Sequence, residues 1–358
     1  KLERCSEGFI ALKDNYLWAM DFITGATGIV GRELLAQLLE SGKSVKALKR
    51  KGSDVKGVIN FLRLRGINPL ESELCWVEGD VTDIQSLEDG IRGCEKVFHI
   101  AAVVSFHPSD EALMMKVNAG GTANVVNTML DQGVTDLIYV SSVAAIGYTP
   151  EIITEQTIFE DGSFTTGYSR SKNKSEIEVW RGQEEGLKVA IVNPSIIIGP
   201  GDFTKSSAEL FSKVYNGIPF YPTGTHGFVS VYDVARVCIL LEETGIRGQR
   251  FLLNAENRSY KDLLSTIAVA LNTTAPSKPV RNWMAGMVWR GFWAIEKLTG
   301  RKAMATKESL IMAQRPTEYD GSQIRKALLE KGVEWNYSSV NDAIQSTAKI
   351  YLSEKAGS

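Results

Sequence analysis

The sequence predicts a doubly wound parallel α/β fold with a smaller, partly interleaved C-terminal lobe. Three observations predict it. Short apolar runs alternate with helical stretches from Met20 onward, and those runs are apolar nearly throughout rather than at every second residue. The first run also leads straight into a glycine-spaced turn and a helix. Strands apolar on both faces need helices above and below them, which is the layered arrangement of a parallel sheet.

In chain order, strands are expected at 20–24, 44–48, 74–78, 96–100, 136–141 and 188–192. Helical patterns lie between them near 29–41, 83–92, 110–132 and 168–185. Beyond Pro194 the rhythm changes: Gly/Pro-rich stretches at 199–202 and 217–227 separate mixed elements from an aromatic-rich helical tail at 280–299. The expected division is a nucleotide-binding domain over 20–195 with a return segment near 226–245, and a substrate lobe over 196–225 and 246–352. Residues 1–19 lack the pattern of a secretory signal and are read as a dispensable extension. Residues 353–358 are small and polar and are expected to fray.

Composition narrows the function classes. In 358 residues, 40 basic and 42 acidic side chains leave a net charge of −2, so no field draws in nucleic acid or an anionic membrane. No apolar stretch reaches the roughly 18–20 residues of a membrane span. The four cysteines are far apart without Cys-x-x-Cys spacing, which suits separate thiols in a reducing cytosol. Three histidines exclude a His-rich metal centre, and no metal is expected. A cytoplasmic protein acting on a small molecule follows, with no nucleic-acid or integral-membrane partner.

The first candidate site is Thr24-Gly25-Ala26-Thr27-Gly28-Ile29-Val30-Gly31 between strand and helix. Gly25 permits a tight turn, Gly28 lets backbone approach a pyrophosphate, and Gly31 lets the helix pack closely on its strand. The helix N-terminus supplies free N–H groups and positive potential for phosphates. Strand, glycines, helix and second strand within about 30 residues form a dinucleotide-binding unit.

This spacing, TGxxGxxG, resembles the extended branch of the short-chain dehydrogenase/reductase family, whose fold is the Rossmann sheet. The resemblance implies NAD where the second strand ends in an acid and NADP where it ends in a base. Here it ends in Lys49-Arg50-Lys51, which favours NADP(H), with NAD(H) possible. The same resemblance places Asp80 and Val81 at the adenine, Ala101 and Ala102 beside the cofactor, and Asn118 as a support for cofactor and fold. Pro194 and Ser195 open the loop flanking the nicotinamide, and Asp233 marks the return segment as a structural residue.

The chemistry is expected at Tyr168 and Lys172, four apart and so on one helix face. A phenol with a pKa of about 10 is a poor acid–base group at neutral pH, and a nearby ammonium brings it toward the working range. The spacing alone recurs at Tyr351 and Lys355. Context separates the pairs, because Ser142 ends the fifth strand 26 residues before Tyr168, as the resemblance requires. Ser142 then polarises the substrate oxygen, Tyr168 transfers the proton, and Lys172 tunes Tyr168 and orients the nicotinamide ribose. Tyr168 and Lys172 also count among the cofactor contacts, and Ser141 is the structural member of the serine pair.

Within the extended branch, VSSxxAxG and NPSxxxGPG are most similar to the dihydroflavonol reductase, cinnamoyl-CoA reductase and 3β-hydroxysteroid dehydrogenase group. The resemblance implies reversible reduction of a ketone or aldehyde. The pocket residues expected are the apolar and aromatic Val104, Phe106, Ile197 and Tyr221, together with Asn193. Residues 283–298 are read as a helix on the lobe, with a lid or a peripheral membrane contact as other readings. A nucleotide-sugar epimerase or dehydratase using NAD and a non-enzymatic NADP-sensing regulator stay as alternatives. The first is opposed by Lys49–Lys51 and the second by the Ser142, Tyr168 and Lys172 set. A monomer or a homodimer is expected: the helices near 113–131 and 168–185 offer a four-helix dimer seam, and the heavy charge of the second (Lys174, Glu176, Glu178, Arg181, Glu184, Glu185) weighs toward a monomer.

Overall fold

The computed structural model describes residues 20–70, 73–162, 165–280 and 311–356. Up to Pro194, strands β1 (Met20–Thr24), β2 (Ser44–Lys49), β3 (Leu74–Glu78), β4 (Cys94–His99), β5 (Asp136–Val140) and β6 (Lys188–Pro194) alternate with helices. These are α1 (Ile29–Glu40), α2 (Val55–Leu64), α3 (Ile84–Ile91), α4 (Glu111–Met114), α5 (Gly121–Gln132) and α6 (Gly167–Glu184). A π-helical turn, Met115–Gly120, joins α4 to α5. The chain then forms β7 (Ile196–Ile198), α7 (Glu209–Tyr215), β8 (Phe220–Tyr221), β9 (Thr225–Ser230), α8 (Val231–Thr244) and β10 (Gln249–Leu253). It continues through β11 (Glu256–Ser259), α9 (Tyr260–Ala270), β12 (Lys278–Pro279), α10 (Gln323–Glu330) and α11 (Val340–Ala356).

Seven strands form one parallel sheet in the order β10-β6-β5-β4-β1-β2-β3. Successive side chains of a strand enter opposite layers. Phe22, Val97 and Leu137 pack with α3, α5 and α6, whereas Ile23, Phe98 and Ile138 pack with α1, α2, α8 and α10. Each such side chain, fully buried, contributes about 1.5–3 kcal/mol. Strand order reverses between β1 and β4, and that switch point opens a crevice at the carboxyl ends of the strands. A third cluster, built on Phe211, Phe228, Leu263 and Ile344, is the core of the lobe.

The lobe boundary differs from the sequence division. Gln249–Leu253 was assigned to the lobe by its position, yet β10 pairs with β6 as the seventh strand of the main sheet. Its Phe251 and Leu253 fill the same core as α8 and α10. Helix α2 was not expected, because Gly57 and Asn60 blur its apolar period. Asp54 starts it by accepting the Gly57 N–H, and Val58, Phe61 and Leu62 bury its inner face. Residues 353–356 complete α11 rather than fraying.

Among the described residues, Cys94 and Cys238 are free and buried. The expectations for 1–19 and for 283–298 fall outside the described residues. Among the described residues no helix is long and apolar enough to cross a membrane, and no group of His, Cys, Asp or Glu gathers as metal ligands.

Candidate active site

The glycine turn after β1 is shaped by close backbone approach. Gly25 has φ +75°, and a Cβ there stands 2.7 Å from the Ala101 nitrogen. A Cβ on Gly31 stands 2.1 Å from the Gly25 oxygen, so this glycine seats α1 on the turn itself rather than on the strand. Gly28 is exposed at the N-cap of α1, with no side-chain cap and no acid in the first turn. The Gly28 N–H closes the turn on the Gly25 carbonyl at 2.9 Å, which leaves the first N–H groups of α1, from Ile29 on, and the helix dipole as a cradle that fits a pyrophosphate.

The other expected cofactor residues divide by geometry. The Thr24 hydroxyl turns inward, bonding His99 Nδ1 at 2.7 Å and accepting the N–H groups of Ile100 and Ala101. It ties the turn to the loop that carries Ala101 and Ala102. Lys49 pairs with Glu78 on β3 at 3.4 Å, leaving Arg50 and Lys51 as the exposed bases at the end of β2. The Asp54 carboxylate is engaged as the α2 cap. Asp80 accepts from the Thr82 N–H and hydroxyl, and the Val81 side chain packs on Gly121. Asn118, on the π-helical turn, clamps Val103 through both its N–H and C=O and donates to Ser171 on α6. Arg32 carries no motif signal. Its guanidinium lies 5.0 Å over the Phe61 ring, one helical turn beyond Gly28, with a buried Nε lacking a partner.

At the carboxyl end of β5, Ser142 caps a short 3₁₀ turn by accepting the Ala144 N–H at 3.2 Å. The Tyr168 phenol lies on the same side of the cleft, near enough for Ser142 to act on its protonation. A reciprocal Thr166–Ser169 capping box fixes the start of α6 and hence the place of Tyr168. Burial raises the Tyr168 pKa, and the Ser142 contact opposes that shift. Phe106 stands edge-on to Tyr168 with centroids 6.0 Å apart, and Phe106 and Val104 are 41% and 48% exposed at the mouth of the cleft.

Lys172 is almost fully buried. Its ammonium donates to the Tyr139 hydroxyl at 2.5 Å and the Val140 carbonyl at 3.0 Å, and lies 4.4 Å over the Tyr139 ring. Burial lowers its pKa to about 7, with Glu176 opposing. The expectation that Lys172 depresses the Tyr168 pKa is therefore corrected: the ammonium is turned to Tyr139, and burial governs Tyr168. His99 stacks on Tyr139 with ring centroids 5.3 Å apart and bonds Thr122 and Thr24 through its two ring nitrogens, which carries a buried polar chain to Thr24.

Several remaining residues are structural in this geometry. Asn193, expected in the pocket, is buried and donates to the Ser142 carbonyl and to Glu176. The Ser195 hydroxyl donates to Asn254, and Pro194 is buried in the register of β6 with β10. Ile197 and Tyr221 pack against core clusters while partly exposed. Asp233 accepts from Ser338 at two atoms. Glu176, one of the charges on the helix over 168–185, is buried and accepts a hydrogen bond from Ser141. The second Tyr/Lys pair stands apart: Tyr351 stacks on Phe203 in the lobe core, at 4.8 Å between centroids.

Comparison with known proteins bears on the family and the fold. Residues 22–253 match the "NAD dependent epimerase/dehydratase family". The chain is 29% identical to a putative dihydroflavonol 4-reductase of Synechocystis sp. over 334 residues, covering 90% of this chain and 92% of the relative. It is 32% identical to sterol demethylase protein B of Methylococcus capsulatus over 248 residues, covering 68% of this chain and 71% of that one. Among solved structures, gox2253 superposes with a TM-score of 0.76 at 26% identity, covering 94% of this chain and 98% of the other.

Proposed function

This chain belongs to the NAD dependent epimerase/dehydratase family, and from that premise we propose that it is an NADPH-preferring oxidoreductase interconverting an apolar ketone or aldehyde with its alcohol. The observation that carries the reading is the convergence of Ser142, Tyr168 and Lys172 at the carboxyl end of β5, the cofactor end of the sheet. When bound, the nicotinamide supplies or accepts the hydride.

Every other role falls to side chains of the chain. Ser142 donates to the substrate oxygen, and Tyr168 gives that oxygen its proton in reduction and takes it back in oxidation. A phenol whose burial keeps it protonated suits the donating direction. Lys172 holds the ribose hydroxyls from the floor of the cleft. The N–H groups at Ile29 and Val30, at the start of α1, hold the pyrophosphate, and Arg50 and Lys51 supply cations for a 2′-phosphate. Phe106 and Val104 give the mouth an apolar rim, which fits the flavonoid and sterol names carried by the two relatives.

The test is to identify any co-purifying nucleotide, then titrate the emptied protein with NADPH and NADH by fluorescence. A preference for NADPH of at least about tenfold, roughly 1.4 kcal/mol, is expected, followed by NADPH oxidation with apolar carbonyl compounds. Tightly retained stoichiometric NAD, with no net turnover of added nucleotide, overturns this reading in favour of a nucleotide-sugar epimerase.

A further inference from the structure

One carboxylate beneath the cleft is unused by these roles. Glu176 lies one helical turn beyond Lys172 on α6 and is 2% exposed. It accepts hydrogen bonds from Ser141 at the end of β5 and from Asn193 on β6, and it pairs with Arg250 on β10 at 3.3 Å. The same Asn193 amide donates to the carbonyl of Ser142 at 2.9 Å. Glu176 thus joins three adjacent strand ends to the helix that carries Tyr168 and Lys172. Lys172 itself is buried with a phenol and a carbonyl as its partners, both neutral. A buried ammonium needs an opposite charge within reach to keep its proton.

We propose that Glu176 is a positioning residue of the Ser142–Tyr168–Lys172 site: its buried carboxylate is the counter-charge that keeps Lys172 cationic, and its hydrogen bonds through Asn193 hold Ser142 opposite Tyr168. The inference rests on the reading of this cleft as a nicotinamide site. It assigns a task to a residue that none of the proposed steps touches.

The electrostatic surroundings define the test. Around Lys172 lie Tyr139 from β5, His99 from β4 and Glu176 from α6 itself, with Tyr168 one turn before it on the same helix. Burial raises the pKa of Tyr139 and Tyr168 and lowers that of His99 to about 3, so none of these three changes charge near neutrality. Arg250 faces Glu176 from β10, with its guanidinium also donating to the carbonyls of Glu155 and Thr157. The Glu155 carboxylate beyond it accepts the Leu252 N–H. Lys172 is therefore the group expected to titrate near pH 7, and Glu176 opposes the lowering of its pKa.

The experiment measures the NADPH dissociation constant against pH for the full chain by fluorescence, with Lys172→Met as reference. The wild type is expected to lose affinity as pH rises through a midpoint that Lys172→Met abolishes. Glu176→Gln keeps the shape and removes the charge. It is expected to move that midpoint about one pH unit toward acid, with the acid-side affinity within about twofold of wild type. Arg250→Gln, which removes the cation competing for Glu176, is expected to move it toward alkali, and it serves as the test if Glu176→Gln does not fold. A variant that melts lower with the midpoint unmoved overturns the proposal and leaves Glu176 a structural tie. If the wild type binds no nicotinamide nucleotide, or binds it without a Lys172-dependent midpoint, the reading of the cleft falls first and the proposal with it.

Discussion

Replacing Asp21 by Asn should stabilise this protein at neutral pH and leave nucleotide binding alone. Asp21 is the second residue of β1, 3% exposed, and its Oδ2 has no hydrogen-bond partner. The cation nearest to it, Lys96, is already committed to Glu242 on α8. Burial raises the Asp21 pKa from the ordinary 3.8 to about 6, against the pull of Lys96 and Lys43. The folded state then holds this proton more tightly than the unfolded chain. Stability therefore falls as pH rises from about 4 to about 6, and above that range the charged carboxylate costs roughly 3 kcal/mol. The neutral amide introduced by Asp21→Asn carries no such cost. Urea denaturation should show the variant more stable by up to roughly 3 kcal/mol near pH 8, with the difference vanishing near pH 4. Asp21 lies at the amino end of β1 and the glycine turn follows its carboxyl end, so NADPH affinity should stay within about twofold of wild type. A variant less stable near pH 8, or a difference that does not change with pH, refutes the reasoning.

Three further outcomes test the site. Tyr168→Phe removes the proton donor and keeps the ring packed on Phe106, so steady-state turnover should fall about 10²–10⁴-fold while fluorescence titration shows nearly unchanged NADPH affinity. Reversing both exposed bases with Arg50→Glu and Lys51→Glu should weaken NADPH by at least about tenfold and NADH by much less; equal losses sink their assignment to a 2′-phosphate. Gly31→Ala drives a Cβ to within 2.1 Å of a backbone oxygen, and backbone cannot rotate aside. Thermal unfolding should show a loss of about 2–4 kcal/mol together with weakened nucleotide binding.

The parts of the fold readable in the sequence are those in which a local rule has one structural solution. Gly25 needs a left-handed backbone and Gly31 a contact shorter than any side chain permits, so both announce the turn. Tyr168 and Lys172 share a helix face by period alone. What stays hidden depends on residues far along the chain. Glu176 reads as one more charge on a heavily charged helix until Arg250, 74 residues later, arrives on β10 to meet it. β10 itself, QRFLL, is apolar enough for either domain, and only its pairing with β6 decides. Likewise, the helical period places Lys172 near Tyr168 but says nothing of Tyr139, which rises from β5 to take the ammonium instead.

The late arrival of β10 has a consequence for how the protein is made. As the chain leaves the ribosome, β6 is finished at Pro194 but its outer edge stays unpaired until Gln249–Leu253 emerges. At about 5–20 residues per second, the intervening stretch 195–248 takes roughly 3–11 s to synthesise. During that interval β6 presents a parallel strand with Val189, Ile191 and Val192 beside open N–H and C=O groups, a template for pairing with another nascent chain. The dinucleotide half therefore cannot be cut free at residue 195 as a self-sufficient module. A truncation there is expected to be captured by chaperones or to precipitate, whereas one that retains the chain through α10, whose Ile324 and Leu328 close the layer beneath β10, protects its own edge.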